Sequence, residues 1–307
     1  MKIIVTGGAG FIASHIVDAY IKAGHRVAVI DDLSKGFRRN VNPKAKFYKA
    51  DITDLAAMEK IFKKERPEMV NHHASIAEVS RSMRDPIPTL TVNVLGTANV
   101  LMAFGHHGRG GARRKFIFAS TGGAMYGDPK HLPVDERTPI DPLSPYGLSK
   151  KLAEDTIVFY AKQFGFDHFI FRYANVFGPR QNPHGEAGIV AIFGELMKAG
   201  KTPTIFGDGT KARDYVYVSD VAAANLAALR RGKNTTVNIG RGKIITDREM
   251  FDAIAEAMEF EGKPKYAAYR KGEIYRISLD AAKARRILGW KPKVEFKKGV
   301  REATKGI

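Results

Sequence analysis

The segment Lys2-Ile-Ile-Val-Thr-Gly-Gly-Ala-Gly-Phe-Ile-Ala13 places a cluster of glycines between two apolar stretches near the start of the 307-residue chain. Residues 2–5 lack polar alternation, as expected of a parallel strand that is covered on both faces. Residues 11–21 continue with apolar side chains at helical spacing. Gly7 suits a tight turn and Gly10 lets the backbone approach a ligand, while an alanine stands at the third small position. This unit predicts an α/β fold with a diphosphate-binding loop at a helix N-terminus.

Strands and helices continue to alternate through the first half of the chain. Candidate strands cover residues 2–5, 27–30, 46–50, 69–73, 115–119 and 168–172, with helical stretches between them. The alternation predicts a Rossmann-type, doubly wound parallel sheet. After Asn175 the regularity falls and glycine, proline and arginine become more frequent. We therefore expect an NAD-binding domain of residues 1–174 and a smaller α/β substrate-binding domain of residues 175–307, with segments near 210–240 returning to the first domain.

Two carboxylates follow the second candidate strand. Asp31 and Asp32 stand about 20 residues beyond the glycines, where an acidic side chain binds the adenosine ribose hydroxyls of a dinucleotide. A carboxylate at this place repels a 2′-phosphate. The sequence therefore predicts NAD rather than NADP as the cofactor.

A tyrosine and a lysine begin a predicted helix in the middle of the chain. Ser144 is a good N-cap, Pro145 is a good first helical residue, and Tyr146 and Lys150 then share one helix face. A cation about 4 Å from a phenol contributes on the order of 4 kcal/mol at an effective dielectric of about 20. That free energy lowers a phenol pKa by two to three units from about 10. Oxidised nicotinamide would add a second positive charge, so we expect a tyrosinate near neutrality that acts as a general base.

Two hydroxyl side chains follow the candidate strand 115–119. We expect Thr121, with Ser120 as the second choice, to bind the substrate oxygen whose proton moves. The alternative is that both hydroxyls only cap the strand end.

The chain resembles the extended short-chain dehydrogenase/reductases, and among them the NAD-dependent UDP-glucose 4-epimerases and close nucleotide-sugar epimerases. The resemblance covers essentially the whole chain. The motifs that carry it are TGGAGFIASH (6–15), DDLSKG (31–36), ADI (50–52), STGGAMYG (120–127), SPYGLSK (144–150), RYANVFGPRQ (172–181), GEAGIVAIF (185–193), IFGDGTKARDYVYVSDV (205–221), VNIGRG (237–242), RKGE (270–273) and LGWKP (288–292).

The resemblance implies a role for each matching position. Tyr146 would be the base, Lys150 its partner and Thr121 the hydroxyl that binds the substrate. Residues that would hold NAD are Gly7, Gly10, Phe11, Ile12, Asp31, Asp32, Ser34, Lys35, Gly36, Asp51, Ile52, Ala74, Asn93, Tyr146, Lys150 and Tyr173. Residues that would hold the UDP-sugar are Thr121, Tyr146, Asn175, Val190, Phe206, Arg213 and Arg270.

The type of reaction follows from a pair of glycines. Related dehydratases carry an Asp-Glu pair near Gly122-Gly123, and decarboxylating relatives also place a carboxylate there. Glycines can neither protonate a leaving hydroxyl nor take a ring proton. The resemblance therefore implies a 4-epimerase that interconverts UDP-glucose and UDP-galactose: hydride leaves C4 for NAD, the 4-keto sugar rotates, and hydride returns to its other face. UDP-N-acetylglucosamine and UDP-glucuronate stay as alternative substrates, with Ile277 expected near the 2-position of the sugar.

Composition excludes some classes of protein and leaves others open. The chain has no cysteine, which excludes disulfides and thiolate metal sites. His72-His73 and His106-His107 lack partners at metal-ligand spacing, so we expect structural or solvated roles and no metal. The net charge of +18 comes from scattered basic residues, which favours a solvated surface that attracts anionic nucleotide sugars. A nucleic-acid-binding protein and a non-catalytic NAD-binding regulator remain as alternatives.

Location and assembly complete the expectations. The first residues are predicted to be a strand rather than a signal peptide, and no apolar run approaches about 18 residues. We therefore expect a soluble cytoplasmic protein without a membrane partner. Helices predicted at 87–107 and 147–164 each carry a broad apolar face, and the corresponding helices of relatives form a dimer bundle. A homodimer is expected.

Overall fold

The structure is a computed structural model that describes residues 1–109, 114–183, 188–270 and 272–307. Its elements in chain order are β1 (Lys2–Thr6), α1 (Phe11–Lys22), β2 (Arg26–Asp31), β3 (Lys46–Lys49), α2 (Leu55–Glu65), β4 (Met69–His72), α3 (Val79–Arg84), α4 (Pro86–Leu90), α5 (Thr97–His107), β5 (Lys115–Thr121), α6 (Pro145–Phe164), β6 (Asp167–Tyr173), β7 (Asn175–Phe177), α7 (Ile189–Lys198), β8 (Thr204–Phe206), β9 (Ala212–Tyr217), α8 (Val218–Ala228), β10 (Thr235–Ile239), β11 (Ile244–Thr246), α9 (Asp247–Met258), β12 (Lys265–Ala267), β13 (Arg276–Ile277), α10 (Ala282–Leu288) and α11 (Phe296–Thr304). Of the motifs quoted above, residues 185–187 and Lys271 lie outside the described part of the chain.

The central sheet has seven strands in the order β10-β6-β5-β4-β1-β2-β3. All of its neighbouring strands run parallel. The chain first builds outward through β2 and β3 and then returns to β4 on the other side of β1, so the strand order reverses between β1 and β4. In such sheets ligands bind beside the carboxyl ends of the strands at the reversal. The predicted Rossmann-type fold is confirmed, and each of the six predicted strands is present.

The second half of the chain contributes to both regions of the fold. β10 joins the central sheet beside β6, and α8 packs on α1. The remaining strands form a smaller sheet of β11, β9, β13 and β7 and a two-stranded sheet of β12 and β8. Helices α7, α9 and α11 pack together over these strands. The boundary at residue 174 stays a prediction.

The central sheet is apolar on both faces because helices cover both. Along β5, Ile117 packs in the same cluster as α1, whereas Phe116 and Phe118 pack on the other face with α2, α5 and α6. Each fully buried side chain of this size contributes roughly 1.5–3 kcal/mol relative to an exposed one. This double burial explains why these strands show no polar alternation.

One helical stretch is more apolar than the sequence analysis expected. α4, a π-helical turn at Thr91–Gly96 and α5 join into the stretch Pro86–His107, which could cross a membrane by length and composition alone. Its hydropathy window is 50% buried inside the fold. It packs against α6 and α2.

Candidate functional site

A cavity of about 1100 Å³ opens at the carboxyl ends of the central strands and continues into the second half of the chain. The glycine segment and the Tyr146 segment both contribute to its wall. The predicted site residues that line it are Gly7, Gly10, Phe11, Ile12, Asp31, Asp32, Ser34, Lys35, Gly36, Asp51, Ile52, Ala74, Ser120, Thr121, Tyr146, Lys150, Tyr173, Asn175, Val190, Phe206, Arg213 and Arg270.

The glycine loop forms a cradle that side chains would fill. Gly7 has φ +69°, and a Cβ there would lie 2.7 Å from the backbone nitrogen of Ala74. A Cβ on Gly10 would lie 3.1 Å from the carbonyl oxygen of Gly7. No side chain caps the N-terminus of α1, so the N–H groups of its first turn are left for an anion. These residues fit the diphosphate of a dinucleotide.

Asp31 stands at the end of β2, where a ribose would lie. Its two carboxylate oxygens accept hydrogen bonds from the backbone N–H groups of Ala9, at 2.9 Å, and Leu33, at 2.8 Å. Burial raises the pKa of Asp31, and these two hydrogen bonds oppose the shift. Each oxygen keeps a lone pair for a ribose hydroxyl. Asp32 instead accepts hydrogen bonds from the N–H and the hydroxyl of Ser34, which shapes the turn after the strand.

Helix α6 places a tyrosine and a lysine against the end of β5. The Ser144 hydroxyl caps the helix by accepting the Gly147 N–H at 3.1 Å. Lys150, one turn after Tyr146, is buried. Its ammonium donates to the carbonyl oxygen of Ala119 at 2.9 Å and lies 4.8 Å from the ring centroid of Phe118. Tyr146 and Lys150 both line the cavity at the carboxyl end of β5.

In the polypeptide without its cofactor, the pKa of Tyr146 lies above the ordinary value of a tyrosine. Burial raises the pKa of Tyr146 to about 12, although a hydrogen bond with the Thr121 side chain lowers it. Burial also lowers the pKa of Lys150 to about 7, so this lysine carries only part of its charge at neutral pH. Desolvation is the largest cause of both shifts.

Thr121 is the hydroxyl that reaches Tyr146. The neighbouring Ser120 hydroxyl donates to Glu154 at 2.6 Å, which turns it toward the interior of the protein. Gly123 lines the cavity, and a Cβ there would lie 3.0 Å from Oδ1 of Asn175, whereas Gly122 packs on the Leu279 side chain. Only the second of these two glycines therefore leaves a gap in the wall near Thr121.

Two arginines lie at the far end of the cavity. The Arg213 guanidinium donates to the carbonyl oxygens of Ala212, at 3.0 Å, and Tyr275, at 2.9 Å. The Arg270 guanidinium lies 3.5 Å from the ring centroid of Phe206 and therefore covers one face of that ring. The two arginines that the sequence analysis expects to bind the substrate thus both line the cavity.

Two predicted residues are not brought to the wall. The amide of Asn93 is buried. Its oxygen accepts a hydrogen bond from the N–H of Ile76 at 2.8 Å, and its nitrogen donates to the carbonyl oxygen of Ile76 at 2.9 Å. Asn93 therefore holds the loop after β4 instead of facing the cavity. Ile277 is buried in the core cluster that includes Leu279 and is not among the residues that line the cavity.

The sequence analysis missed several residues of the wall. His73 stacks on Tyr173 with ring centroids 6.0 Å apart, and burial lowers the pKa of His73 to about 3. His73 ends the predicted strand 69–73, and this position at the carboxyl end of a parallel strand could have indicated a place in the cavity wall. Lys211 is paired with Asp247, at 3.3 Å, and with Glu273, and these partners come from distant segments that carry no sequence signal. Within the described residues, no cluster of three or more His, Asp or Glu could hold a metal ion.

Comparisons with known proteins agree with this geometry. Residues 3–240 match the model of the NAD dependent epimerase/dehydratase family. The UDP-glucose 4-epimerase of Mycolicibacterium smegmatis is 40% identical over 306 residues, which cover 98% of this chain and 96% of that protein. A UDP-glucose 4-epimerase structure from Thermotoga maritima, solved with UDP-glucose, has a TM-score of 0.96 and 44% identity and covers 100% of this chain and 98% of its own.

A second solved structure contains the cofactor. The UDP-glucose 4-epimerase of Thermus thermophilus, solved with NAD, has a TM-score of 0.94 and 41% identity, with 100% of this chain and 98% of its own covered. The match in sequence thus extends over nearly the whole length of both relatives' folds. The chain belongs to the NAD dependent epimerase/dehydratase family.

Proposed function

We propose that this protein is an NAD-dependent UDP-sugar 4-epimerase that interconverts UDP-glucose and UDP-galactose. The observation that carries the proposal is the meeting of Thr121, Tyr146 and Lys150 in one cavity with a glycine loop and two arginines. The similarity to epimerases of the same length supports it. When bound, NAD supplies the hydride acceptor and donor together with a positive charge that favours the phenolate.

The first half of the wall would hold the cofactor. The N–H groups at the start of α1 would bind the diphosphate, and Asp31 would bind the adenosine ribose. Asp51 and Ile52 would border the adenine, and Tyr173 would border the nicotinamide. Gly36 suits this wall because a Cβ there would lie 2.8 Å from the Cβ of Ala9.

Tyr146 and Thr121 would move and guide one proton. The Thr121 hydroxyl would hold the 4-oxygen of the sugar beside the phenol, because both side chains line the cavity at the end of β5. Tyr146 would accept the proton of the 4-hydroxyl as the hydride leaves C4 and return a proton when the hydride comes back. Lys150 would stabilise the phenolate.

The second half would hold the nucleotide and leave the sugar free to turn. Arg213 and Arg270 would bind the diphosphate with charge-assisted hydrogen bonds. Phe206 would stack on the uracil, and Asn175 and Val190 would complete this part of the wall. Gly123 offers no carboxylate to expel a hydroxyl, so the reaction ends at epimerisation.

An exposed apolar face on two neighbouring helical stretches supports a homodimer. Exposed apolar side chains lie on the neighbouring helical stretches Pro86–His107 and α6, among them Ile87, Leu95, Leu148, Leu152 and Phe159. Phe159 is 62% exposed and Ile87 is 66% exposed. We propose that a second copy covers this face. Cytoplasmic location is proposed with it, in keeping with an enzyme that uses NAD and a nucleotide sugar.

Turnover of Tyr146→Phe tests the function. Removing a general acid–base group is expected to lower kcat about 10²- to 10⁴-fold while NAD stays bound. Tyr160→Phe is the matched control, because Tyr160 lies on the same helix and packs on Phe164 outside the cavity. Full activity of Tyr146→Phe would refute the proposal. Parallel incubations with UDP-galactose, UDP-N-acetylglucosamine and UDP-glucuronate identify the sugar by the product ratios.

A further inference from the structure

A buried ion pair lies behind the proposed catalytic residues. Glu154 follows Lys150 by one turn on α6 and is 5% exposed, and Arg172 on β6 is 7% exposed. The guanidinium donates to both carboxylate oxygens, from Nη2 at 2.7 Å and from Nε at 3.0 Å. Because burying two charges costs desolvation free energy, such a pair is often no more stabilising than apolar residues of the same volume. Stability alone does not account for it.

The carboxylate of Glu154 lies close in the fold to two of the proposed catalytic residues, Thr121 and Lys150. Ser120 donates to its Oε1 at 2.6 Å, and Ser120 directly precedes Thr121 at the end of β5. Lys150 and Glu154 are both buried and stand four residues apart on α6, so they share one face of the helix. Burial lowers the pKa of Lys150 and the charge of Glu154 raises it.

Arg172 is fixed in turn by a chain of hydrogen bonds. Its Nη1 donates to the hydroxyl of Tyr126 at 3.0 Å, and Tyr126 donates to Oδ1 of Asn238 at 2.8 Å. Asn238 lies on β10 and donates to the carbonyl oxygen of Val134 at 3.1 Å. The ion pair is thus anchored to the central sheet and to the loop after β5, and it has little freedom to move.

We propose that Glu154 is a positioning residue of the epimerase: its carboxylate, held by Arg172, keeps the Lys150 ammonium charged and fixes the strand end that presents Thr121. Arg172 moderates the negative charge that Lys150 meets. The inference rests on the proposed function, since it assumes that turnover needs a charged Lys150.

The other groups around Lys150 do not replace this charge. The ionisable groups that act on Lys150 or on which it acts are Glu154 on α6, His72 at the end of β4 and His73 directly after it. Tyr146 stands one turn earlier on α6, and Arg172 on β6 is paired with Glu154. Burial, and then the charge of Lys150, lowers the pKa of both histidines, that of His73 to about 3, so they are neutral when the enzyme works. On α3, Arg81 is paired with Glu78 at 3.3 Å, at the cavity wall.

The pH dependence of kcat tests the proposal with three variants of the full-length enzyme. In the wild type, kcat falls at high pH as Lys150 loses its proton. Glu154→Gln should move this fall down by up to about two pH units, the shift expected for losing one charge at the roughly 6 Å spacing of side chains four residues apart on a helix, at an effective dielectric of about 20. Arg172→Gln should move it up, because the carboxylate is then unopposed. The double variant Glu154→Gln/Arg172→Gln should lie near the wild type.

A matched control separates this effect from loss of a buried carboxylate in general. Glu65 is also buried and paired, with Lys2 at 2.9 Å, but it lies on α2 and outside the cavity. Glu65→Gln should destabilise the fold and leave the pH at which kcat falls unchanged. If Glu154→Gln fails to fold, Arg172→Gln tests the proposal by the direction in which the pH of the fall in kcat moves. An upward shift supports the proposal, and no shift or a downward one overturns it. A wild type without epimerase activity would instead overturn the proposed function.

Discussion

Replacing Gly7 by alanine should damage both the stability of the protein and its binding of NAD. The backbone of Gly7 is left-handed, with φ +69°, which costs a residue with a side chain about 1–2 kcal/mol. The added Cβ would also lie 2.7 Å from the nitrogen and 2.9 Å from the Cα of Ala74. Both are backbone atoms that cannot rotate away, and overpacking of this kind costs about 1–3 kcal/mol more.

Comparison with Gly200→Ala separates the cost of the steric clash from the cost of the left-handed backbone. Gly200 has almost the same φ, +67°, but a Cβ there would meet nothing within 4 Å. We expect Gly200→Ala to lose about 1–2 kcal/mol of unfolding free energy and Gly7→Ala about 2–5 kcal/mol. Urea unfolding at one protein concentration measures both variants, and calorimetric titration measures NAD affinity. NAD affinity should fall only in Gly7→Ala. Equal destabilisation with unchanged affinity would refute the reasoning.

Other predictions concern the substrate, the pH dependence of stability and the assembly. Arg270→Met should raise KM for the UDP-sugar about 10- to 100-fold with a smaller change in kcat, because a hydrogen bond to a charged group contributes about 1.5–3 kcal/mol. Arg276 lies outside the cavity wall, so the control variant Arg276→Met should leave steady-state kinetics unchanged. Burial raises the pKa of Glu65, but hydrogen bonds, first from Lys46, outweigh it and bring the pKa to about 2. The destabilisation of Glu65→Gln, about 1–3 kcal/mol above pH 5, should therefore fade as the pH falls toward 2, and unfolding curves across this range that kept it constant would contradict the assignment. Phe159→Lys should convert the dimer into monomers in sedimentation velocity, and an unchanged sedimentation coefficient would place the interface elsewhere.

The central sheet was predictable because its signals are local. β1 and β5 are continuous apolar runs, and the glycines and Asp31 follow their strands directly in the chain. The position of Tyr146 on the first turn of α6 follows from the cap and the proline that precede it. Each of these features depends on neighbours within a few residues, so one sequence suffices to identify them.

The features that were missed depend on contacts between distant segments. The pKa of Tyr146 follows from desolvation by the whole fold, which the spacing to Lys150 does not reveal. Asn93 resembles a cofactor ligand in sequence, but its amide bonds the backbone of Ile76. Lys211 pairs with Glu273, 62 residues later in the chain. No local pattern reports such pairings, and only the folded chain brings them together.

The fate of the hydrogen on C4 tests the central claim most directly. UDP-glucose carrying deuterium at C4 would be incubated with the enzyme in ordinary water, and the UDP-galactose formed would be examined by NMR and mass spectrometry. The account predicts that the deuterium stays on C4 of the product, because the same hydride leaves C4 for the bound NAD and returns from it. Loss of the deuterium to water would contradict it.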